Sequence, residues 1–379
     1  MTKRAKFNNY LKPALQAGLS ALLVLNTNAD AAPEKPRARK QDAPQIRVSK
    51  TAATAGQREP DSKSPRVSFL IRQAQDAQAR QDHSAVFEYC RKALEIDPKL
   101  AIAYAIRGRS YMHKRRWDKA IAEADRAIGL DPKTALAYIV RGKSGYLSGL
   151  ESNDKVKRDF AEAVRLEPND ADANFYMGIM YTIDKDYERS AKHLTLAAKL
   201  DPTNKNIFQY RSACYTLMKK PELALADLST VIKIDSKAYE AYATRADVYS
   251  RLGKNEQAIA DFSEAIKLKP RDYSLRNLRA SQLIKMGKHA EAIRDFTEAI
   301  ALNPLDEDLF LKRANSYAAL KDYEKALADY SEAISLEPEY ESAYRFRAKV
   351  YDALGKQDLA AKDRSKAAAL KKLPAEKRI

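Results

Sequence analysis

Residues 242–270 read YATRADVYSRLGKNEQAIADFSEAIKLKP, and residues 310–338 read FLKRANSYAALKDYEKALADYSEAISLEP, so the chain repeats one pattern after 68 residues. A proline, or once a serine, marks the same point in successive copies: Pro98, Pro132, Pro168, Pro202, Ser236, Pro270, Pro304 and Pro338. The marks are 34 residues apart, except for one interval of 36. A constant period of this length indicates an array of structural units that bury their apolar sides by stacking on their neighbours.

Each unit contains two amphipathic helices. In the first quoted copy, Tyr242, Ala246 and Tyr249 are spaced i, i+4 and i+7, and a second run extends from Ala258 to Ile266. Apolar spacing of this kind predicts helices that each bury one face. Proline ends the second helix because it has no N–H to donate and clashes with the preceding turn. The sequence therefore predicts an all-α protein.

Small residues recur at the eighth and twentieth positions of the units, and aromatic side chains recur at the fourth, eleventh and twenty-fourth. With proline at the thirty-second position, this pattern resembles the tetratricopeptide repeat (TPR) family over about residues 67–372. The resemblance implies a right-handed α-solenoid, or superhelix, of antiparallel helix pairs, with about eight to nine units of 34 residues. It also implies that the first helix of each pair lines a concave groove that binds partner proteins.

The first 31 residues have the pattern of a secretory signal peptide. Four basic residues precede the apolar run PALQAGLSALLVL, and Ala31 is a small residue suited to cleavage. The run has about 13 residues, whereas a membrane span needs about 20. We therefore expect export to the periplasm or the extracellular space, with only transient membrane contact through the signal peptide. An organelle transit peptide is the alternative, supported by the absence of acidic residues before Asp30.

The remaining boundaries follow from composition. Residues 32–65 are basic and contain several prolines, which predicts a disordered leader. Residues 66–372 form the predicted solenoid, and residues 373–379 form a C-terminal tail. The one longer unit contains GKSGYLSGLESNDKVKRDF, in which three glycines predict either a local break in the stack or a hinge or partner-specific loop.

Arginine at the seventh position and an acid at the twenty-third occur together in seven units and are both absent from the other two. Both positions lie about 12 Å from the turn, at about 1.5 Å per residue, so the two side chains should face each other. The predicted structural ion pairs are Arg107 with Glu123, Arg141 with Asp159, Arg211 with Asp227, Arg245 with Asp261, Arg279 with Asp295, Arg313 with Asp329, and Arg347 with Asp363. Each contributes about 0 to 1 kcal/mol if exposed. Shared ancestry of the repeats also explains the co-occurrence, and an anion-binding row of arginines is disfavoured by the accompanying acids.

The resemblance assigns the groove to positions two, five, nine, twelve and thirteen of the first helices. In the second to fourth units, the partner-binding candidates are Ile102, Arg109, Leu136, Ile139, Lys143, Phe175 and Ile179. We expect hydrophobic peptide side chains to be anchored there. The competing interpretation is that these residues pack against neighbouring helices. The Lys and Asn set with which some chaperone-binding members clamp a C-terminal carboxylate is missing.

The residue pattern disfavours an enzyme. The histidines His83, His113, His193 and His289 lie in separate units at no metal-ligand spacing, and no glycine-rich phosphate loop is present. We predict no catalytic residue, no metal and no cofactor. Cys90 and Cys214 are 124 residues apart, in different helix layers, so we expect no disulfide between them.

A net charge of +17 suggests a polyanion, either nucleic acid or a cell-envelope polymer, as a possible partner. Most aromatic side chains occupy core positions, however, and cannot also stack on bases, which disfavours nucleic acid. The sequence therefore predicts a non-enzymatic scaffold that binds a protein or peptide. A polyanion-binding protein, a self-assembling array and a structural spacer are the alternatives.

Overall fold

The computed structural model describes residues 64–371. The predicted signal peptide, nearly all of the predicted leader and the predicted C-terminal tail lie outside these residues. The described residues form eighteen α-helices and no strand. The helices are α1 (Pro65–Ala79), α2 (His83–Ile96), α3 (Ala101–His113), α4 (Trp117–Leu130), α5 (Ala135–Ser148), α6 (Asn153–Leu166), α7 (Ala171–Ile183), α8 (Tyr187–Leu200), α9 (Lys205–Leu217), α10 (Pro221–Ile234), α11 (Tyr239–Arg251), α12 (Asn255–Leu268), α13 (Tyr273–Lys285), α14 (His289–Leu302), α15 (Glu307–Ala319), α16 (Tyr323–Leu336), α17 (Glu341–Ala353) and α18 (Gln357–Lys371).

The helices stack in two compact blocks. The amino-terminal block contains α1 to α10, and the carboxy-terminal block contains α11 to α18. Within each block, every helix packs against the helices before and after it. In the amino-terminal block, the first helices of successive pairs also contact one another. Each block is therefore an all-α solenoid of stacked helix pairs, as the period of the sequence predicts.

The turn inside every pair uses a left-handed residue at the fifteenth position of the unit. Glycine stands there in four pairs, with φ between 67° and 71°, and the remaining five have φ between 56° and 62°. The five non-glycine residues are Gln81, Arg115, Lys185, Lys219 and Lys321. In eight pairs the next N–H donates to the carbonyl four residues before the turn residue, as Asp186 does to Tyr181 at 2.9 Å. This bond closes the first helix and reverses the chain.

The longer unit differs at this turn. Helix α5 runs without interruption through Gly142 and Gly145 and ends at Ser148, with the left-handed Gly149 after it. The two additional residues extend the helix by one residue and the following loop by one. The insertion thus lengthens the turn and leaves α5 continuous.

Small residues let the two helices of each pair approach closely. Alanine at the twentieth position has no exposed surface in any of the six units that carry it there, as at Ala120 and Ala258. Large side chains at the twenty-fourth position fill the space beside it, as Phe160 and Phe296 do. Within residues 64–371, no helix combines the length and the apolar character that a membrane crossing requires.

Candidate functional site

The seven predicted groove residues lie on α3, α5 and α7, three first helices that contact in sequence. Four of them, Leu136, Ile139, Phe175 and Ile179, are only 3% to 8% exposed. Ile139 packs among Ala163 and Ala173, and the ring of Phe175 contacts the rings of Tyr176 and Tyr210. These four side chains therefore fill helix interfaces and offer a partner little surface. Their role as peptide anchors stays a prediction.

The accessible part of this region is more polar. Ile102, Arg109 and Lys143 are each partly exposed, and we call this strip of three residues the first-helix face. One of the three side chains is apolar and two carry positive charge. The accessible groove residues are thus mainly polar and charged, with the half-exposed Asp172 beside Lys143, whereas the sequence positions alone indicated an apolar groove.

Lys143 is held by an acid of the next first helix. Its Nζ donates to Asp172 Oδ2 at 2.9 Å and lies 5.0 Å from the centre of the Tyr176 ring. Burial opposes the charge of Lys143, but the attraction of Asp172 and Tyr176 outweighs it and raises the pKa of the amine above its ordinary value. Burial likewise opposes the charge of Asp172, and Lys143 outweighs it and lowers the pKa of that carboxyl. The two groups therefore stabilise each other as an ion pair.

Arg109 has no such partner. Among residues 64–371 its guanidinium makes no hydrogen bond or ion pair, and its Nε is buried with no acceptor. Burial lowers the pKa of Arg109, and the more distant Asp172 and Asp170 offset this only in part. A buried donor without an acceptor is costly, so each such group in a folded protein calls for an explanation.

Two histidines complete this cluster. The rings of His83 and His113 stack with their centres 5.8 Å apart, and His83 Nδ1 is buried without a partner. Burial, reinforced by Lys143, Arg109 and His83, lowers the pKa of His113 to about 4. We call Arg109, Lys143, His113 and His83 the basic cluster; burial lowers the pKa of both histidines, which favours their uncharged forms. Sequence reasoning treated the histidines as scattered, because it did not compare positions across adjoining units.

The structure brings each predicted arginine and acid together. The shortest nitrogen–oxygen distances in the seven pairs are 2.6 to 2.8 Å. Each arginine uses Nε and Nη2 to reach both oxygens of its carboxylate, as Arg279 does with Asp295. The six aspartates are only 3% to 7% exposed. The contribution of about 0 to 1 kcal/mol that is typical of exposed ion pairs therefore underestimates the coupling of these buried pairs, because water screens their charges poorly.

A second partner of these arginines was not predicted. In five cases Nη1 also donates to a residue sixteen positions earlier, on the second helix of the preceding pair. These contacts join Arg141 to Asp125, Arg211 to Thr195, Arg279 to Ser263, Arg313 to Thr297, and Arg347 to Ser331, at 2.7 to 3.1 Å. All five acceptors stand at the twenty-fifth position of their units. The signal was present in the sequence, but only in a comparison between neighbouring units.

The two cysteines are separate from the basic cluster. Cys90 on α2 and Cys214 on α9 are buried free thiols. Burial raises the pKa of Cys90 to about 12. Within the described part of the chain, no three His, Cys, Asp or Glu side chains are grouped closely enough to hold a metal ion.

Comparison with known proteins identifies the repeat. Three family models described as tetratricopeptide repeat match residues 72–135, 239–272, 273–304 and 308–340. The comparison with curated proteins finds no match.

Several solved structures are similar. YrrB, described as a TPR protein with an unusual peptide-binding site, is 20% identical, with 48% of this chain and 95% of that chain covered and a TM-score of 0.44. MamA from Desulfovibrio magneticus RS-1 is 18% identical, with 44% and 94% covered and a TM-score of 0.42. A tetratricopeptide repeat protein from Parabacteroides merdae ATCC 43184 is 17% identical, with 69% and 98% covered and a TM-score of 0.43.

Proposed function

Because the chain is a tetratricopeptide repeat protein, we propose that it is a non-enzymatic scaffold that binds a protein or peptide along its first helices. The observation that carries this proposal is the first-helix face. Two successive first helices, α3 and α5, contact each other there and leave Ile102, Arg109 and Lys143 partly exposed. An extended peptide laid across these helices would meet all three side chains in turn.

The buried apolar residues have a different part in this proposal. Ile139 and Phe175 hold adjacent helices together, so a charged substitution at either position would disturb the stack as well as any partner contact. Experiments on binding should therefore use the partly exposed residues. Ile102 is suitable because it is apolar and accessible and belongs to no ion pair.

Site-specific photo-crosslinking tests the use of this surface. A photoreactive phenylalanine analogue replaces Ile102 in one variant and Leu223 in a matched control. Leu223 is 47% exposed and lies on α10, a second helix. We expect protein adducts from position 102 and few from position 223. Equal yields from both positions, or adducts from position 223 alone, would contradict binding along the first helices.

We also propose that the protein acts after export. Support comes from the basic residues, the apolar run and the small residue at position 31. Amino-terminal sequencing of the protein from its native source should begin at Ala32. An intact Met1 in the functional protein would remove this part of the proposal.

A polyanion is the second candidate partner, because the chain carries a net charge of +17. Phosphate-dominated binding weakens steeply as salt rises, since counterions are released when phosphates are neutralised. A peptide held by a few contacts has a shallower salt dependence. The slope of binding against salt concentration therefore separates these two candidates.

A further inference from the structure

We propose that the protein docks on an anionic lipid bilayer through a basic cleft between α1 and α2 and the exposed ring of Phe69 beside it. The observation that carries this inference is the presence of cations and accessible apolar side chains on the same two helices. It goes beyond the proposed function, because none of the residues of the first-helix face takes part. The predicted signal peptide, whose membrane contact is transient, does not take part either.

The cleft lies between the start of α1 and the end of α2 and has a volume of about 270 Å³. Its lining combines three cations, one carboxylate and two apolar side chains: Arg66, Arg91, Lys92, Glu95, Leu70 and Ile96. Three positive charges against one negative give the cleft a positive potential, which attracts anions. The apolar side chains lie at the same opening, so the cleft suits an amphiphilic partner.

The three cations differ in how far they are neutralised. Arg91 pairs with Glu95, and Lys92 pairs with Glu88 at 2.6 Å, each across one helical turn. These four side chains are 44% to 60% exposed, so both pairs are weak and an approaching anion competes with them at little cost. In the described part of the chain, the guanidinium of Arg66 makes no hydrogen bond or ion pair. Arg66 is therefore the cation best placed to accept a lipid phosphate.

Large apolar side chains stand beside these cations and remain accessible. Phe69 is 59% exposed, and Ile96 is 44% exposed. Phe69 is three residues from Arg66, so the two side chains are neighbours on one face of α1. Arg72, three residues further along, is also exposed. An aromatic ring between arginines is suited to the interface of a bilayer, where the ring enters the acyl boundary and the cations meet the headgroups.

The chain that precedes α1 adds positive charge at the same place. Residues 32–63 contain eight basic and four acidic residues, and residue 63 is two positions before Pro65, where α1 begins. Binding of such a surface scales with the apolar area that enters the bilayer plus the attraction to anionic lipid, and the molecule supplies both. A nucleic acid would use the cations but leave Phe69 and Ile96 in water. A bilayer therefore accounts for more of this surface.

Sedimentation with lipid vesicles tests this assignment. The chain from Ala32 onward keeps every described helix and lacks the apolar run of residues 13–25, which would bind lipid by itself. We expect this chain to sediment with vesicles of phosphatidylglycerol and phosphatidylcholine, and to stay in the supernatant with phosphatidylcholine alone. Added salt should weaken the binding, because it screens the attraction between the cations and the anionic lipid.

The matched protein variants are Phe69→Ser with Leu223→Ser, and Arg66→Gln with Arg158→Gln. Leu223 and Arg158 are exposed on α10 and α6, so their replacement makes a comparable chemical change away from the cleft. Circular dichroism checks that all four variants remain helical. We expect Phe69→Ser to weaken vesicle binding about tenfold and Arg66→Gln about fivefold, whereas the two controls leave it nearly unchanged.

A fluorescent label reports directly whether position 69 enters the lipid. Cys90 and Cys214 are buried, so a thiol-reactive dye that is sensitive to polarity should label Phe69→Cys or Leu223→Cys selectively. Anionic vesicles should increase the emission of the dye at position 69 and leave the emission at position 223 unchanged.

Several results would overturn the assignment. Anionic vesicles that do not bind the chain, or phosphatidylcholine vesicles that bind it equally well, would contradict it. Binding that neither Phe69→Ser nor Arg66→Gln weakens more than its control would place the contact elsewhere. If a single-stranded oligonucleotide binds through Arg66 and anionic vesicles do not, the partner is a nucleic acid and the bilayer assignment is wrong. None of these results affects the crosslinking test at Ile102, so the proposed function is judged separately.

Discussion

Replacement of Arg279 by Met should strongly destabilise the stack around α13 and α14. In the native protein, Arg279 donates to both oxygens of Asp295 at 2.6 and 2.8 Å and to Ser263 Oγ at 2.9 Å. One guanidinium thus joins α12, α13 and α14. The side chain of Asp295 is only 5% exposed, and that of Arg279 is 26% exposed. Without Arg279, the carboxylate would remain buried with no cation beside it.

The expected cost lies between two limits. Exposed ion pairs contribute about 0 to 1 kcal/mol, and loss of one partner from a buried pair costs about 3 to 5 kcal/mol. Because Arg279 is partly accessible, we expect Arg279→Met to lower the local unfolding free energy by about 2 to 4 kcal/mol. The double variant with Asp295→Asn should lose less than the sum of the single variants, because it leaves no unpaired charge.

A second pair on the same two helices is the control. Arg276 Nε lies 2.7 Å from Glu298 Oε2, but the Glu298 side chain is 61% exposed. The distances in the two pairs are nearly equal, but the two carboxylates differ in burial, and Glu298 accepts one hydrogen bond from Arg276 whereas Asp295 accepts two from Arg279. The control variants are Arg276→Met and Glu298→Gln, alone and combined. We expect a coupling energy of about 1 kcal/mol or less for this pair, because its carboxylate is exposed to water.

Hydrogen exchange measured by mass spectrometry is the appropriate assay. Repeat arrays open locally, so a single global unfolding free energy is poorly defined for them. Exchange rates of α13 and α14 peptides give the local opening free energy for each variant. A coupling of about 2 kcal/mol or more for the buried pair supports the reasoning. Equal and small couplings for both pairs would refute it, because burial would then have no measurable effect.

Four further predictions concern single residues. Gly178→Ala should lower the local unfolding free energy by about 1 to 3 kcal/mol, because the new Cβ would lie 2.7 Å from Leu194 Cγ. Gly129→Ala, where a Cβ meets nothing within 4 Å, should raise it by about 0.5 to 1 kcal/mol, and hydrogen exchange measures both. Cys90, whose pKa is raised to about 12 by burial, should resist iodoacetamide in the folded protein and react after denaturation; rapid native labelling would contradict its burial. Burial lowers the pKa of His113 from an ordinary 6.5 to about 4, so the unfolded chain takes up this proton before the folded one. The free energy of unfolding should therefore fall as the pH drops from 6.5 to 4. An NMR titration with a His113 pKa near 6.5 would contradict this environment.

Much of the site is predictable because a repeat places equivalent residues in equivalent surroundings. The joint occurrence of Arg107 with Glu123 and of Arg279 with Asp295 predicted, from the sequence alone, that the two side chains of each pair face each other. The character of the groove was not predictable in the same way. Ile139 and Phe175 occupy groove positions of the family pattern, but their accessibility depends on how far neighbouring helices cover them. The extent of this coverage is set by the packing of many side chains at once.

The sequence by itself determined the helix pairs, their 34-residue period and the face on which each residue lies. These features depend on local chain geometry, which the spacing of apolar residues records directly. Only the tertiary structure decided which polar groups find partners. It gave Arg141, Arg211, Arg279, Arg313 and Arg347 a third hydrogen bond, to the preceding helix pair, and left Arg109 Nε without an acceptor. A hydrogen bond requires donor and acceptor to lie about 3 Å apart, and packing of adjacent helices alone sets that separation.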